Sequence, residues 1–492
     1  MDIVLNTRCV SDYERFLKIK SLPNYRFAGR TAWVPDEYAN RLGGQTTNPK
    51  QISYTPSPFL FDYQADITRI AIRKRKFSIF ADCGLGKTLI YAEYIKHINK
   101  VIEKDRAILI VSPLMVIKQT LEEFHKWYGS DVQVDKISAK DLGSWSKSGS
   151  RIGITNFEAL SDDLEQNRIN AMIIDESSML KSHYGKWGQT ILRIGKGMDW
   201  KLAGTGTPAP NDRIEYANHA VLMDAFPNVN SFLARFFVNK AQTGERWILK
   251  PHALRPFYQS LSHWSVFLTN PATYGWNDHI DDIPPIHVKI HNVPLTDSQN
   301  NAIQDLTGQL MATESGGIGQ RSKLGQIAKG SYKNQKIDTN KPEYIRSLIE
   351  SWPEESTIIW CIYNNEQEQM HQLFPEAANI TGDTPFDTRQ ILIDEFKSGV
   401  RRILITKPKI LGFGLNLQIA TRQVFSGLQD SYESFYQAVK RSNRVGSIKP
   451  LSVHIPITSA EEPMVQNVLR KAKRVQHDAD EQEQLFKQSL NT

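Results

Sequence analysis

The run Gly84, Leu85, Gly86, Lys87 and Thr88, entered from Ala81, has the makings of a loop that wraps an anion. Without Cβ atoms, Gly84 and Gly86 let backbone N–H groups curl around phosphate oxygens, and a helix opening at the lysine adds the positive end of its dipole. Lys87 can then reach the β- and γ-phosphates while Thr88 offers its hydroxyl to magnesium. Such a metal also needs a carboxylate from a neighbouring strand, and Asp175 ends the apolar run Met172 to Ile174. Glu176 follows directly, placed to orient or deprotonate an attacking water. The combined chemistry is phosphoryl transfer from a nucleoside triphosphate to water, with Mg2+ as cofactor.

Residues of this kind need rigid carriers, and the hydrophobic pattern supplies them. Brief apolar runs bounded by turn or charged residues predict buried strands at Phe77–Ala81, Ala107–Val111, Ile152–Thr155 and Ala171–Ile174. The same pattern returns at Thr357–Ile362, Arg402–Thr406 and Leu451–Ile455. Amphipathic stretches separate the runs, so two α/β blocks with parallel sheets are expected, over residues 56–211 and 341–456. Residues 212–340 carry Phe232, Phe236, Phe237, Phe257, Tyr258 and Trp264, then Pro284 and Pro285, which suggest a chain crossing. These aromatics are expected to be core rather than base-stacking wedges. Residues 1–55 read as a small accessory region. Residues 457–492 read as a C-terminal helix, with Val465, Val468, Leu469, Ala472 and Val475 on one face amid Arg470, Lys471, Lys473 and Arg474; a solvated helix packed on the second block is expected.

Composition narrows the classes. The chain has 492 residues, 40% hydrophobic and 23% charged, ordinary globular usage that excludes a fibre or a disordered chain. Its apolar runs fall far short of the roughly 18 residues a membrane span needs, and the N-terminus lacks the pattern of a secretory signal. Cys9, Cys83 and Cys361 are too few and scattered for a disulfide framework or zinc site, so a cytoplasmic setting is expected. Sixty Lys and Arg against 53 Asp and Glu give a net charge of +7, compatible with a polyanionic partner.

Taken in order, the motifs from Phe59 to Pro456 resemble superfamily-2 helicases and, within them, Swi/Snf-type double-stranded DNA translocases. Gln64 looks like the family's adenine-reading glutamine. Ser112-Pro113 and Thr155-Asn156 are similar to its DNA-backbone motifs, and Thr205-Gly206-Thr207-Pro208 to the motif coupling hydrolysis to strand contacts. In the second block, Gly414 and Asn416 lie in a similar motif, and Gln437 leads to Arg441 and Arg444 in a run expected to be helical, with its guanidiniums about one turn apart. Arg444 resembles the arginine finger and Arg441 its companion. The resemblance implies two RecA-like lobes with parallel sheets, a helical insertion between them and the small N-terminal accessory region. It also implies ATP with Mg2+ at Lys87, Thr88, Asp175 and Glu176, the guanidiniums meeting these groups from the opposite lobe. The implied partner is duplex or branched DNA, gripped without regard to sequence.

Some residues depart from the family pattern. Ser178 stands where these proteins usually carry a histidine that links the site to the Thr-Gly-Thr-Pro motif, and Ser447 stands in place of a glutamine. Lys407-Pro408-Lys409 precedes Leu411 with an apparent insertion. Compact chains with such deviations resemble phage-encoded members. Two other classes stay open from sequence, an RNA-directed helicase and an ATP-gated scaffold in a DNA-processing assembly.

Overall fold

The computed structural model describes residues 1–492 except 7, 44–52, 162–163, 165–167, 183, 241–246, 278–282, 312–317, 334, 412–414, 430, 445–446 and 491–492. The chain forms two compact units, Met1–Asp278 with Val475–Thr492, and His279–Arg474.

The first unit is built on a seven-stranded sheet, parallel throughout. Its strands run Ser265–Leu268, Lys76–Ala81, Trp200–Thr205, Ile169–Asp175, Ala107–Val111, Ile152–Thr155 and Asp135–Lys136 across the sheet. Ala107–Val111 is buried at every position, because helices cover both faces of a parallel sheet and leave no solvent side for polar residues. The sheet brings the phosphate loop after Ala81, the Asp175 terminus and the turn after Thr205 to one edge, since parallel strands all end on the same side.

Part of the stretch between the two blocks completes this unit. Ser265–Leu268 is fully buried and pairs with Ser78–Ala81. Phe232, Phe236, Phe237, Phe257, Tyr258 and Trp264 share a core with Phe80 and Met172. Their rings meet mostly edge to face, as Phe236 and Phe257 do at 5.4 Å. The helices Val229–Phe236 and Leu254–Trp264 therefore extend the core of the first unit.

The N-terminal residues form a three-stranded antiparallel sheet, Asp2–Val4, Thr31–Trp33 and Arg26–Ala28, with the helix Val10–Lys20 and a small core of Leu5, Ile19, Leu22, Ala32, Val34 and Tyr38. Glu37 ties this module to its unit through Lys74 at 2.7 Å and His263 at 2.8 Å.

The long helix Glu462–Leu490 begins in the second unit, where Val465 and Val468 are buried. Its last turns belong to the first. There Asp478 accepts from both Nε and Nη2 of Arg213, at 3.1 and 2.6 Å, and from the Tyr258 hydroxyl at 2.8 Å. Glu483 accepts from Thr269 Oγ1 at 2.7 Å, and Phe486 packs on Phe77 and Tyr274.

The second unit carries a six-stranded parallel sheet in the order Ile286–Asn292, Leu451–Ile457, Arg422–Phe425, Thr357–Trp360, Ile403–Thr406 and Ala378–Asn379. Residues 286–292 thus give this sheet an edge strand, as 265–268 do in the first unit. A charged cluster lies inside: Lys329 meets Glu461 at 2.6 Å, Lys341 pairs with the same carboxylate, and Lys341 also donates to the Ser426 carbonyl at 2.6 Å.

Candidate nucleotide site

The phosphate loop joins the Lys76–Ala81 strand to the helix Lys87–Val101. Gly84 at φ 92° and Gly86 at φ 67° occupy the left-handed region, which a residue with a Cβ enters only at a cost. Gly86 has a second reason to be glycine, since a Cβ there would fall 2.2 Å from the Gln64 amide nitrogen. Gln64 is buried on the helix Asp62–Lys74; its oxygen accepts from the Phe61 N–H at 3.1 Å and its nitrogen donates to the Leu85 carbonyl at 3.4 Å. Tyr63 donates to the same carbonyl at 3.2 Å. The ammonium of Lys87 turns into the loop, donating to the carbonyls of Ala81 at 2.7 Å and Asp82 at 3.1 Å.

Asp175 closes the Ile169–Asp175 strand, accepting from Ser112 Oγ at 3.1 Å and from the Glu176 N–H at 3.0 Å. Burial and the neighbouring Glu176 charge push its pKa up to about 6, against the opposing pull of Lys87. A carboxylate crowded by burial and a like charge is suited to a cation. Its oxygens and the Thr88 hydroxyl are hard donors of the kind that magnesium takes, so the residues fit the metal.

Glu176 adopts φ 53°, ψ 54°, left-handed for a non-glycine residue, at a cost of roughly 1–3 kcal/mol. That turn carries its side chain to the neighbouring strand end, where Oε1 accepts from Thr205 Oγ1 at 2.7 Å and from Ser178 Oγ at 2.9 Å. Thr205 Oγ1 in turn accepts from the Thr207 N–H at 3.1 Å, fixing the turn that follows. A Cβ on Gly206 would stand 3.5 Å from the Ala81 carbonyl and 3.6 Å from Cys83 Sγ, so this turn lies directly against the phosphate loop. The connection that Ser178 put in question from sequence is thus a direct one, from Glu176 to Thr205. His219, which sequence reasoning passed over, braces the segment from behind: its Nε2 lies 2.9 Å from Ser177 Oγ, and burial drives its pKa down to about 4, leaving the ring neutral.

Among the residues read as DNA contacts, Ser112 faces Asp175 and belongs to the nucleotide group. Pro113 follows it at the strand end. Thr155 is buried, its hydroxyl donating to the Ile137 carbonyl at 3.0 Å, while Asn156 donates to Glu158 at 2.7 Å. Thr207 is buried in the turn described above.

In the second unit the helix spans Tyr432–Val439 and stops before both arginines, correcting the helical expectation for that run. The chain turns at once, with Arg441 N–H on the Ala438 carbonyl and Ser442 N–H on that of Val439. Arg441 and Arg444 nevertheless act alike, each folding Nε onto the carbonyl four residues back, Gln437 at 3.0 Å and Lys440 at 2.8 Å. Arg441 is buried and Arg444 half-buried. Asn416 caps its own turn through the Gln418 N–H at 3.1 Å, and Leu417 N–H bonds the Arg441 carbonyl at 2.9 Å, joining the two motifs. Gly414 lies outside the described residues.

The SNF2-related domain model matches residues 73–343 and the helicase conserved C-terminal domain model matches residues 340–446. The DNA annealing helicase and endonuclease ZRANB3 of Bos taurus is 25% identical over 452 residues, covering 83% of this chain and 40% of that protein. The ISWI chromatin-remodeling complex ATPase ISW2 of Saccharomyces cerevisiae is 22% identical over 472 residues, covering 86% and 41%. The chain therefore spans about 40% of the length of these curated relatives. Among solved structures, the Sulfolobus solfataricus SWI2/SNF2 ATPase core in complex with dsDNA is similar at 19% identity and a TM-score of 0.40, over 90% of this chain and 98% of that one.

Proposed function

The chain belongs to the SNF2-related family, and from that membership and the site geometry we propose that it is an ATP-dependent DNA translocase of the Swi/Snf group, hydrolysing ATP with Mg2+ and moving along DNA. The observation that carries the reading is the bond from Thr205 to Glu176, which joins the water-activating carboxylate to the Thr-Gly-Thr-Pro turn.

In this reading Gly84 to Thr88 hold the phosphates, with Lys87 moving from its own loop carbonyls onto the β/γ oxygens. Asp175 and Thr88 would hold magnesium, whose charge would offset that developing on the phosphates. Glu176, steered by Thr205 and Ser178, orients the water for in-line attack and accepts its proton. Arg441 and Arg444 stabilise the negative charge of the transferring γ-phosphoryl group. Gln64 reads the adenine edge. Pro113, Thr155, Asn156, Thr207, Gly414, Asn416 and Gln437 shape the segments that grip or respond to the DNA backbone, so binding is salt-sensitive and independent of base sequence.

The relatives named for DNA annealing and chromatin remodelling support DNA as the track. A panel of duplex, branched, single-stranded and RNA effectors in an ATPase assay tests this, joined to triplex displacement for movement. Duplex or branched DNA is expected to give the greatest stimulation. Stimulation by RNA alone would replace this reading with an RNA helicase, and stimulation without displacement would leave an ATP-gated scaffold.

A further inference from the structure

Tyr91 lies four residues after Lys87 on the helix Lys87–Val101, so both project from one face of it. Its side chain is buried, and its hydroxyl has no hydrogen-bond partner among the described residues. An orphaned interior hydroxyl is costly. A phenylalanine would fill the same space without that cost, so the oxygen calls for an explanation.

Its surroundings supply one. A Cβ built on Gly204 would fall 1.8 Å from the Tyr91 oxygen. Gly204 is the direct cross-strand partner of Asp175 in the parallel sheet, and paired residues of neighbouring strands point to the same face. The hydroxyl therefore occupies the place a side chain at position 204 would take, beside the Asp175 carboxylate.

We infer that Tyr91 is a positioning residue of the ATP site: its hydroxyl, unbonded in this state and held by the gap at Gly204, donates to Asp175 when that carboxylate turns to take the metal, and sets its orientation there. The inference rests on the nucleotide-site reading above. Asp175 already accepts from Ser112 and from the Glu176 N–H. A third donor, arriving from the helix that carries Lys87, ties the metal carboxylate to the phosphate-binding element itself. Partners of this kind behind a metal ligand typically contribute 10–100-fold to metal affinity or activity.

The test is Tyr91→Phe, which keeps the ring and removes only the oxygen, with Asp175→Asn alongside. Binding of Mn2+ to the ADP complex, followed by electron paramagnetic resonance, reads the metal site without turnover; the melting temperature and the split between kcat and the KM for ATP complete the set. Tyr91→Phe is expected to melt at or above the parental temperature, to bind Mn2+ about tenfold more weakly, and to lose kcat with little change in KM. Parental Mn2+ affinity in Tyr91→Phe, with Asp175→Asn abolishing binding, would overturn this role and leave the nucleotide site standing. Parental affinity in Asp175→Asn as well would overturn both.

Discussion

Thr205 Oγ1 donates a 2.7 Å hydrogen bond to Glu176 Oε1, joining the ends of two adjacent strands of the first sheet. Ser178 donates to the same oxygen at 2.9 Å. Hydroxyls from two segments of the chain thus hold one oxygen of this carboxylate. Because Thr205 also holds the Thr207 N–H, a displacement of this turn is felt at the carboxylate.

Thr205→Val removes the donor while keeping the branched shape. It is expected to lower kcat by about 10–100-fold, the usual cost of losing a group that orients a reacting residue. ATP affinity should hold, because no phosphate ligand changes, and Thr205→Ser should recover most of the rate. Steady-state ATPase kinetics with and without DNA check this; a Thr205→Val enzyme of parental kcat would remove Thr205 from the mechanism.

Asp175 gives a pH dependence of definite sign. Its carboxyl has a pKa of about 6 in the metal-free folded protein, against about 3.9 in an unfolded chain. The folded state therefore holds this proton more tightly. The stabilisation it brings is complete below about pH 4 and is lost as the pH rises through about 6. Melting curves of the metal-free protein should decline across that window relative to Asp175→Asn, and parallel behaviour of the two would show that the carboxyl has its ordinary pKa.

Much of this was legible in sequence, for physical reasons. Ala107–Val111 and Ile152–Thr155 are uninterrupted apolar runs because their sheet is covered on both faces, and the phosphate loop is a local sequence signal. What escaped depends on long-range pairing. Ser265–Leu268 and Ile286–Asn292 are edge strands whose partners lie far along the chain. Asp478 and Glu483 look like solvated helix charges until Arg213 and Thr269 are brought to them. Arg441 and Arg444 have helical spacing, but the helix stops at Val439 and the turn after it decides where they point. Ser112 reads from sequence as a DNA-backbone contact, and its bond to Asp175 appears only once the sheet sets the two strand ends side by side.

The two arginines should separate cleanly. Arg444→Ala is expected to lower kcat about a thousandfold, the lower end of what an arginine finger contributes, with stability nearly intact. Arg441 is buried, so Arg441→Ala should also lower the melting temperature. Kinetics and melting curves on both variants decide the matter; equal ATPase rates for parent and Arg444→Ala would exclude it as the finger.

Within the second unit, Glu461 serves two buried lysines. Burial alone would raise its carboxyl, but Lys329 and Lys341 overcome this and hold it at about 2. Its contribution is therefore present above the unfolded carboxylate pKa of about 4.3 and lost as the pH falls toward 2. Glu461→Gln strands the two ammoniums and is expected to cost about 3–5 kcal/mol, read by urea denaturation. A loss below about 1 kcal/mol would mean the lysines reach water when the carboxylate is gone.

The most direct measurement is ATP hydrolysis by the wild type and by Lys87→Ala, each with and without duplex DNA. The account predicts hydrolysis that rises on adding duplex, falls again with added salt, and is abolished in Lys87→Ala while the protein still melts cooperatively. Parental turnover in Lys87→Ala, or a wild-type rate indifferent to DNA, would contradict it.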